Sequence, residues 1–160
     1  MTLLAFLALS LPAIADDCTS AMVTTAQNPV TTLTIKTDAH GKQAKFGMVQ
    51  TPTTQYIQTE DGQWHSVGVT VKDKIDATNE DLKTAKISCQ REGADLVNGV
   101  PATVYAVHAD RDGDISDAKV WISSHRIAKT EGTSEGAHYT TSYDYAHVIP
   151  PANAKPMGSR

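Results

Sequence analysis

The chain has 160 residues, with 18 acidic and 14 basic side chains and a formal net charge of -4. A protein that grips a phosphate backbone needs clustered Lys and Arg. Here Lys36, Lys42, Lys45, Lys72, Lys74, Lys83 and Lys86 are interspersed with Asp and Glu, so the sequence excludes nucleic acid as a partner.

The run from Thr2 to Ala15 is apolar except for Thr2 and Ser10. At roughly 13 residues it is shorter than the ~20 a membrane-spanning helix needs. It ends in Leu11-Pro12-Ala13-Ile14-Ala15, with small residues where a signal peptidase inspects the chain, and Asp16-Asp17 follows at once. This pattern predicts a signal peptide over 1–15, cleaved after Ala15, and an exported product in the periplasm or outside the cell. Cys18 is not a lipid acceptor on this reading, because Asp16 and Asp17 occupy the first mature positions. No apolar stretch beyond Pro12 reaches spanning length, which predicts a soluble product with no membrane span. The remaining length suits a single β-rich domain over 16–151, with a flexible tail over 152–160 after Pro150-Pro151.

In an oxidising compartment Cys18 and Cys89 most simply pair with each other. The loop closed is long, and chain entropy assigns the bridge about 4 kcal/mol. The alternative is a pair of free thiols, or an intermolecular bridge through Cys18.

Between Cys18 and Ala26 a short helix is expected, stopped by Asn28-Pro29. Val30 to Thr37 is rich in β-branched residues, and Leu33 and Ile35 alternate with polar neighbours as in a half-buried strand. After a turn at His40-Gly41, Gln43 to Gln50 and Gln55 to Thr59 offer two more strands, and Asp61-Gly62 is a hairpin signal leading to Trp64 and Val67. Ala77 to Lys86 is the best helical candidate, with Thr78 as cap and Asp81 as its partner three residues on. Ile87 to Ala94 continues as strand or loop, and Asn98-Gly99 marks a tight turn. Ala102 to Ala109, Lys119 to Ser123 and His138 to His147 read as strands separated by polar turns at 110–117 and 131–136. Short connections of this kind favour antiparallel neighbours.

The run Val97-Asn98-Gly99-Val100-Pro101-Ala102-Thr103-Val104-Tyr105, then Ala118-Lys119-Val120-Trp121-Ile122-Ser123, Lys129 and the aromatic strand Tyr139 to Tyr145 before a proline pair resemble the closing hairpins of lipoprotein-carrier-like (LolA/LolB-type) envelope proteins. The resemblance covers the second half of the chain only. It implies a strongly bent antiparallel sheet whose concave side is filled by helices, around a cavity that can hold acyl chains. The chain departs from the carriers in offering one short helix in place of a long helical lid, and in having Phe46 as its single phenylalanine after the leader.

No constellation for chemistry emerges. Asp110-Arg111-Asp112-Gly113-Asp114 has carboxylates at calcium-loop spacing, but Gly113 is misplaced and the twelfth position is Trp121 instead of Glu, so a solvated hairpin loop without an ion is expected. His138 and His147 bracket one strand at an odd separation, which puts them on opposite faces. Ser123-Ser124-His125 lacks a Gly-x-Ser-x-Gly elbow. Tyr139, Tyr143 and Tyr145 share a strand face, where packing is their ordinary role.

The fold class is therefore α+β: a predominantly antiparallel, curved, half-barrel-like sheet with one or two short helices. The function implied is non-enzymatic, without cofactor or metal: an exported monomer that binds an apolar ligand, a lipid, or an envelope or host protein at the curved sheet. The candidate ligand-binding residues are Leu33, Ile35, Trp64, Val104 and Trp121, with Val120 and Ile122 as further lining. The alternatives are a secreted interaction or antigen-like protein with no ligand cavity, and a hydrolase whose residues assemble only in space.

Overall fold

The computed structural model describes residues 14–157. All of the expected leader except Ile14 and Ala15 lies outside the described residues, as does the end of the expected tail. Helix α1 spans Ile14–Gln27, and the strands β1 (Val30–Thr37), β2 (Gln43–Gln50), β3 (Gln55–Gln58) and β4 (Trp64–Val67) follow. Helix α2 (Val71–Thr84) then leads into β5 (Lys86–Val97), β6 (Val100–Arg111), β7 (Asp114–Ser123), β8 (Arg126–Ser134), β9 (Ala137–Asp144) and the two-residue β10 (Lys155–Pro156). All ten strands form one sheet in the order β10-β4-β3-β2-β1-β9-β8-β7-β6-β5. Every neighbouring pair is antiparallel except β10 with β4. This is the expected α+β class, with an open sheet curled around its helices.

Local chemistry explains most of the boundaries. α1 stops where expected: Asn28 donates its side-chain amide to the Thr24 carbonyl at 2.6 Å, and Pro29 cannot continue the helix. The hairpin turns at Asn98-Gly99 and Asp112-Gly113 have positive φ at both central residues, as a type I′ turn requires. α2 starts six residues earlier than the sequence suggested. Thr70 accepts from the Asp73 N–H at 3.2 Å, and the Asp73 carboxylate takes the Thr70 N–H at 2.7 Å, closing a capping box. Thr-x-x-Asp occurs twice in series, and the first copy, not Thr78 with Asp81, begins the helix. β8 is a second difference. The polar run 131–136 predicts a turn, yet Arg126–Ser134 is an interior strand paired on both sides. The end of the chain differs as well: Lys155–Pro156 pair with His65–Ser66, and the Met157 N–H reaches the Ser66 carbonyl at 3.0 Å, so this part of the expected tail is built into the sheet.

The core lies between α1 and the β5–β8 half of the sheet. Cys18, Tyr105, Val107, Val120 and Ile127 are buried together, with Met22, Ile87, Ile122 and Tyr143 packed against them. Cys18 is bonded to Cys89 of β5, with a Cα–Cα distance of 6.3 Å, as expected. A smaller cluster, Ala102, Val104 and Trp121 with Val97, comes from the alternate positions of the same strands and so occupies the outer face. The β5 edge carries a bulge between Arg91 and Gly93.

Candidate functional site

The inner face of the sheet and the two helices enclose a cavity of about 710 Å³, within the range of small-molecule pockets. Alternation along each strand decides which side chains reach it. β1 contributes Thr32 and Thr34, β2 contributes Phe46 and Met48, β3 contributes Ile57, and β9 contributes Thr141 and Tyr143. Ile87 of β5 and Ile127 of β8 complete the sheet wall. The helices supply Met22, Thr25 and Ala26 from α1, and Lys74, Thr78, Asp81 and Leu82 from α2. The last four are spaced i, i+4, i+7 and i+8, so they share one face of α2.

Most of the polar lining is already satisfied. The hydroxyls of Thr34 and Thr141 are 2.8 Å apart and share a hydrogen bond across the β1–β9 pair. Thr25 Oγ1, buried under α1, accepts the Ile127 N–H at 2.9 Å, and the Tyr145 hydroxyl donates to the Ile127 carbonyl at 2.8 Å. Burial pushes the Tyr145 phenol up to about 12, and Tyr143 is also raised by burial, so neither supplies a proton donor or acceptor that titrates near neutrality. Arg111 reaches across from the end of β6 to Asp81 at 3.1 Å. Lys74 stands apart from these pairs. Burial pulls its ammonium below the usual lysine range.

None of Leu33, Ile35, Trp64, Val104 and Trp121 lines this cavity. Leu33 and Ile35 alternate with Thr32 and Thr34, so they point to the outer face, where Leu33 is 42% exposed. Trp64 lies across Gly47, with its ring only 2.6 Å from where a Cβ on Gly47 would stand. Val104 and Trp121 pack in the outer cluster, where the indole N–H donates to Asp95 at 3.0 Å and the Lys129 ammonium covers the ring at 4.4 Å. Val120 and Ile122 belong to the inner core under α1. Each strand offered two parities, and the apolar one in β1 is not the one that faces the helices. Phe46, Met48 and Ile57 were legible as apolar positions but were not selected.

A second, shallower groove of about 440 Å³ on the outer face includes Ser88, His108 and Asp117 from three adjacent strands. They stand directly opposite one another in register. His108 Nδ1 lies 2.7 Å from Asp117, but among the described residues no hydroxyl is hydrogen-bonded to His108. A nucleophile joined to its base is therefore lacking there.

No family model matches the chain, and no curated protein matches its sequence. Solved structures do. The Mycobacterium tuberculosis lipoprotein LppX superposes with a TM-score of 0.50 at 12% identity, covering 88% of this chain and 99% of LppX. MucB, solved in complex with MucA(peri), gives a TM-score of 0.50 at 12% identity over 90% of this chain, which spans 62% of that MucB chain. A LolA superfamily protein from Nitrosomonas europaea is similar at a TM-score of 0.34 and 10% identity, too distant to carry weight. At such identities the likeness is one of fold. The chain thus shares with LppX and MucB the curled sheet with helices that the resemblance implied, over most of its length instead of the second half alone.

Proposed function

We propose that the protein is an exported, non-enzymatic, monomeric binding protein that holds an apolar ligand, a lipid or another acyl-bearing molecule, in the cavity between the inner sheet face and the two helices. The observation that carries this reading is the cavity itself: about 710 Å³, walled by Met22, Phe46, Met48, Ile57, Leu82 and Ile87, and roofed in part by a helix with no buried residue. Export is supported by the leader-like pattern of 1–15 and by the Cys18–Cys89 bond, which persists in oxidising compartments. Fold likeness to a protein described as a lipoprotein supports the same reading. The test is a chain-length series of linear alcohols measured by calorimetry, since both tryptophans lie off the cavity wall and intrinsic fluorescence is a poor reporter. Each added CH₂ contributes about 0.8 kcal/mol when buried, so affinity should rise about fourfold per methylene until the cavity is filled. An affinity independent of chain length overturns the proposal.

A protein partner is the second reading, supported by the fold likeness to MucB, solved with MucA(peri), and by the exposed twelve-residue edge strand β5. On that reading the alcohols do not bind.

A further inference from the structure

Three charged side chains line the cavity: Lys74, Asp81 and Arg111. Asp81 and Arg111 neutralise each other at 3.1 Å. Lys72, two residues before Lys74, pairs with Asp76 in the exposed part of the helix. Lys74 forms no ion pair among the described residues, and it is half-buried on the cavity side of α2. Asp81, the carboxylate on the same helix face, is seven residues further on, about 10 Å along the helix axis, and is already engaged. Among the described residues the cavity lining therefore carries one positive charge outside an ion pair.

Removing an ammonium from water is unfavourable unless an anion or hydrogen-bond acceptors replace the lost hydration. A long lysine stem lies comfortably along an apolar wall, but its head needs a partner. Thr78, one turn along the same face, also lines the cavity, and its hydroxyl has no hydrogen-bond partner among the described residues. The two side chains together present a cation and a hydroxyl donor one helical turn apart, next to the apolar wall formed by Met48, Ile57 and Leu82.

We infer that Lys74, with Thr78 beside it, is the recognition point for the anionic head group, a carboxylate or a phosphate monoester, of an amphiphile whose tail occupies the apolar cavity. The inference rests on the cavity reading proposed above and adds the charge of the ligand to it. Asp81 and Arg111, already paired with each other, offer no second uncompensated charge on this wall, so the site is matched to one anionic group and one tail.

The experiment compares three twelve-carbon probes below their aggregation concentrations: dodecanoate, monododecyl phosphate and 1-dodecanol. Calorimetry is run on the full chain and on the Lys74→Met and Lys74→Arg variants, with melting curves to confirm folding. Both anions are expected to bind the unaltered protein at least tenfold tighter than the alcohol, and the stronger of the two identifies the head group as carboxylate or phosphate. Lys74→Met should erase the preference, so that the alcohol and both anions bind alike in that variant, while Lys74→Arg should retain it. Equal affinity for alcohol and anions, or a preference that survives in Lys74→Met, overturns the head-group inference alone. If the alcohol and both anions fail to bind, the cavity reading falls and this inference with it.

Discussion

The two helices flank the same cavity, yet they are held in different ways. α1 is part of the core. Cys18, Ala21, Thr25 and Ala26 are buried, Cys18 is covalently bonded to β5, and Thr25 takes the Ile127 N–H of β8. α2 has no buried residue at all. It is fixed at its start by the Thr70–Asp73 box and by the Val71 N–H donating to the Pro52 carbonyl at 3.1 Å, and near its end by Asp81 with Arg111. Buried apolar contact is what gives a segment resistance to local opening. One helix therefore acts as a wall, and the other as a cover that meets the cavity with Lys74, Thr78, Asp81 and Leu82. A cavity that must admit a ligand needs one of each.

The largest expected effect is on the wall. Replacing Cys18 and Cys89 together by Ala should lower the unfolding free energy by about 4 kcal/mol, given a sequence separation of 71 residues and the chain-entropy model. Chemical denaturation measures this, and a loss below 1 kcal/mol would mean that α1 is held by packing alone. A subtler cut at the same helix is Thr25→Val, which keeps the shape but leaves the Ile127 N–H buried without its acceptor. That should cost roughly 1–3 kcal/mol, and hydrogen exchange should quicken in α1 and β8 and stay unchanged in α2.

At the cover the effects should be smaller and local. Thr70→Ala removes the cap and should cost about 1 kcal/mol. Exchange in α2 should quicken while α1 remains protected; equal acceleration in both helices would dissolve the distinction between wall and cover. The same cap should also respond to pH. Hydrogen bonds from the Thr70 backbone and hydroxyl hold the Asp73 carboxyl below its usual range. A carboxyl lowered on folding contributes stability that is present above its unfolded value near pH 4 and is lost as pH falls through the lower folded value. Acidification through that window should therefore open α2 before α1 in the parent protein, with a weaker response in Thr70→Ala.

The strands were more legible than the site. β1 and β2 were bounded correctly from residues alone, because Val30 to Thr37 is dense in β-branched side chains and Gln43 to Gln50 is closed by turn residues on both sides. β8 was hidden for a physical reason. Its hairpin with β7 turns at Ser124-His125, where both residues have positive φ without a glycine, and Ile127 is its one large aliphatic residue. The strand owes its existence to neighbours on both sides, a tertiary effect that propensity does not register. The cavity wall was misjudged for a different reason. In β1 the cavity-lining positions are Thr32 and Thr34, the latter sharing a hydrogen bond with Thr141 of β9, while Leu33 and Ile35 face outwards. Alternation reports two faces but not which one the helices will cover, and the general rule of apolar side chains inward selected the wrong one here.

The two margins of the sheet are finished unequally. At one, β10 is a two-residue strand ending in Pro156, which has no N–H to offer an incoming strand. At the other, β5 runs twelve residues with a free side, interrupted by the bulge between Arg91 and Gly93. Copies stacked edge to edge in one straight, unbroken ladder would meet a dead end at the first margin and a kink at the second, whereas a short segment of a partner could still pair with β5 on one side of the bulge. For a protein whose interior is left partly open, this supplies colloidal safety from the rim of the sheet, where a fuller core would otherwise have to provide it.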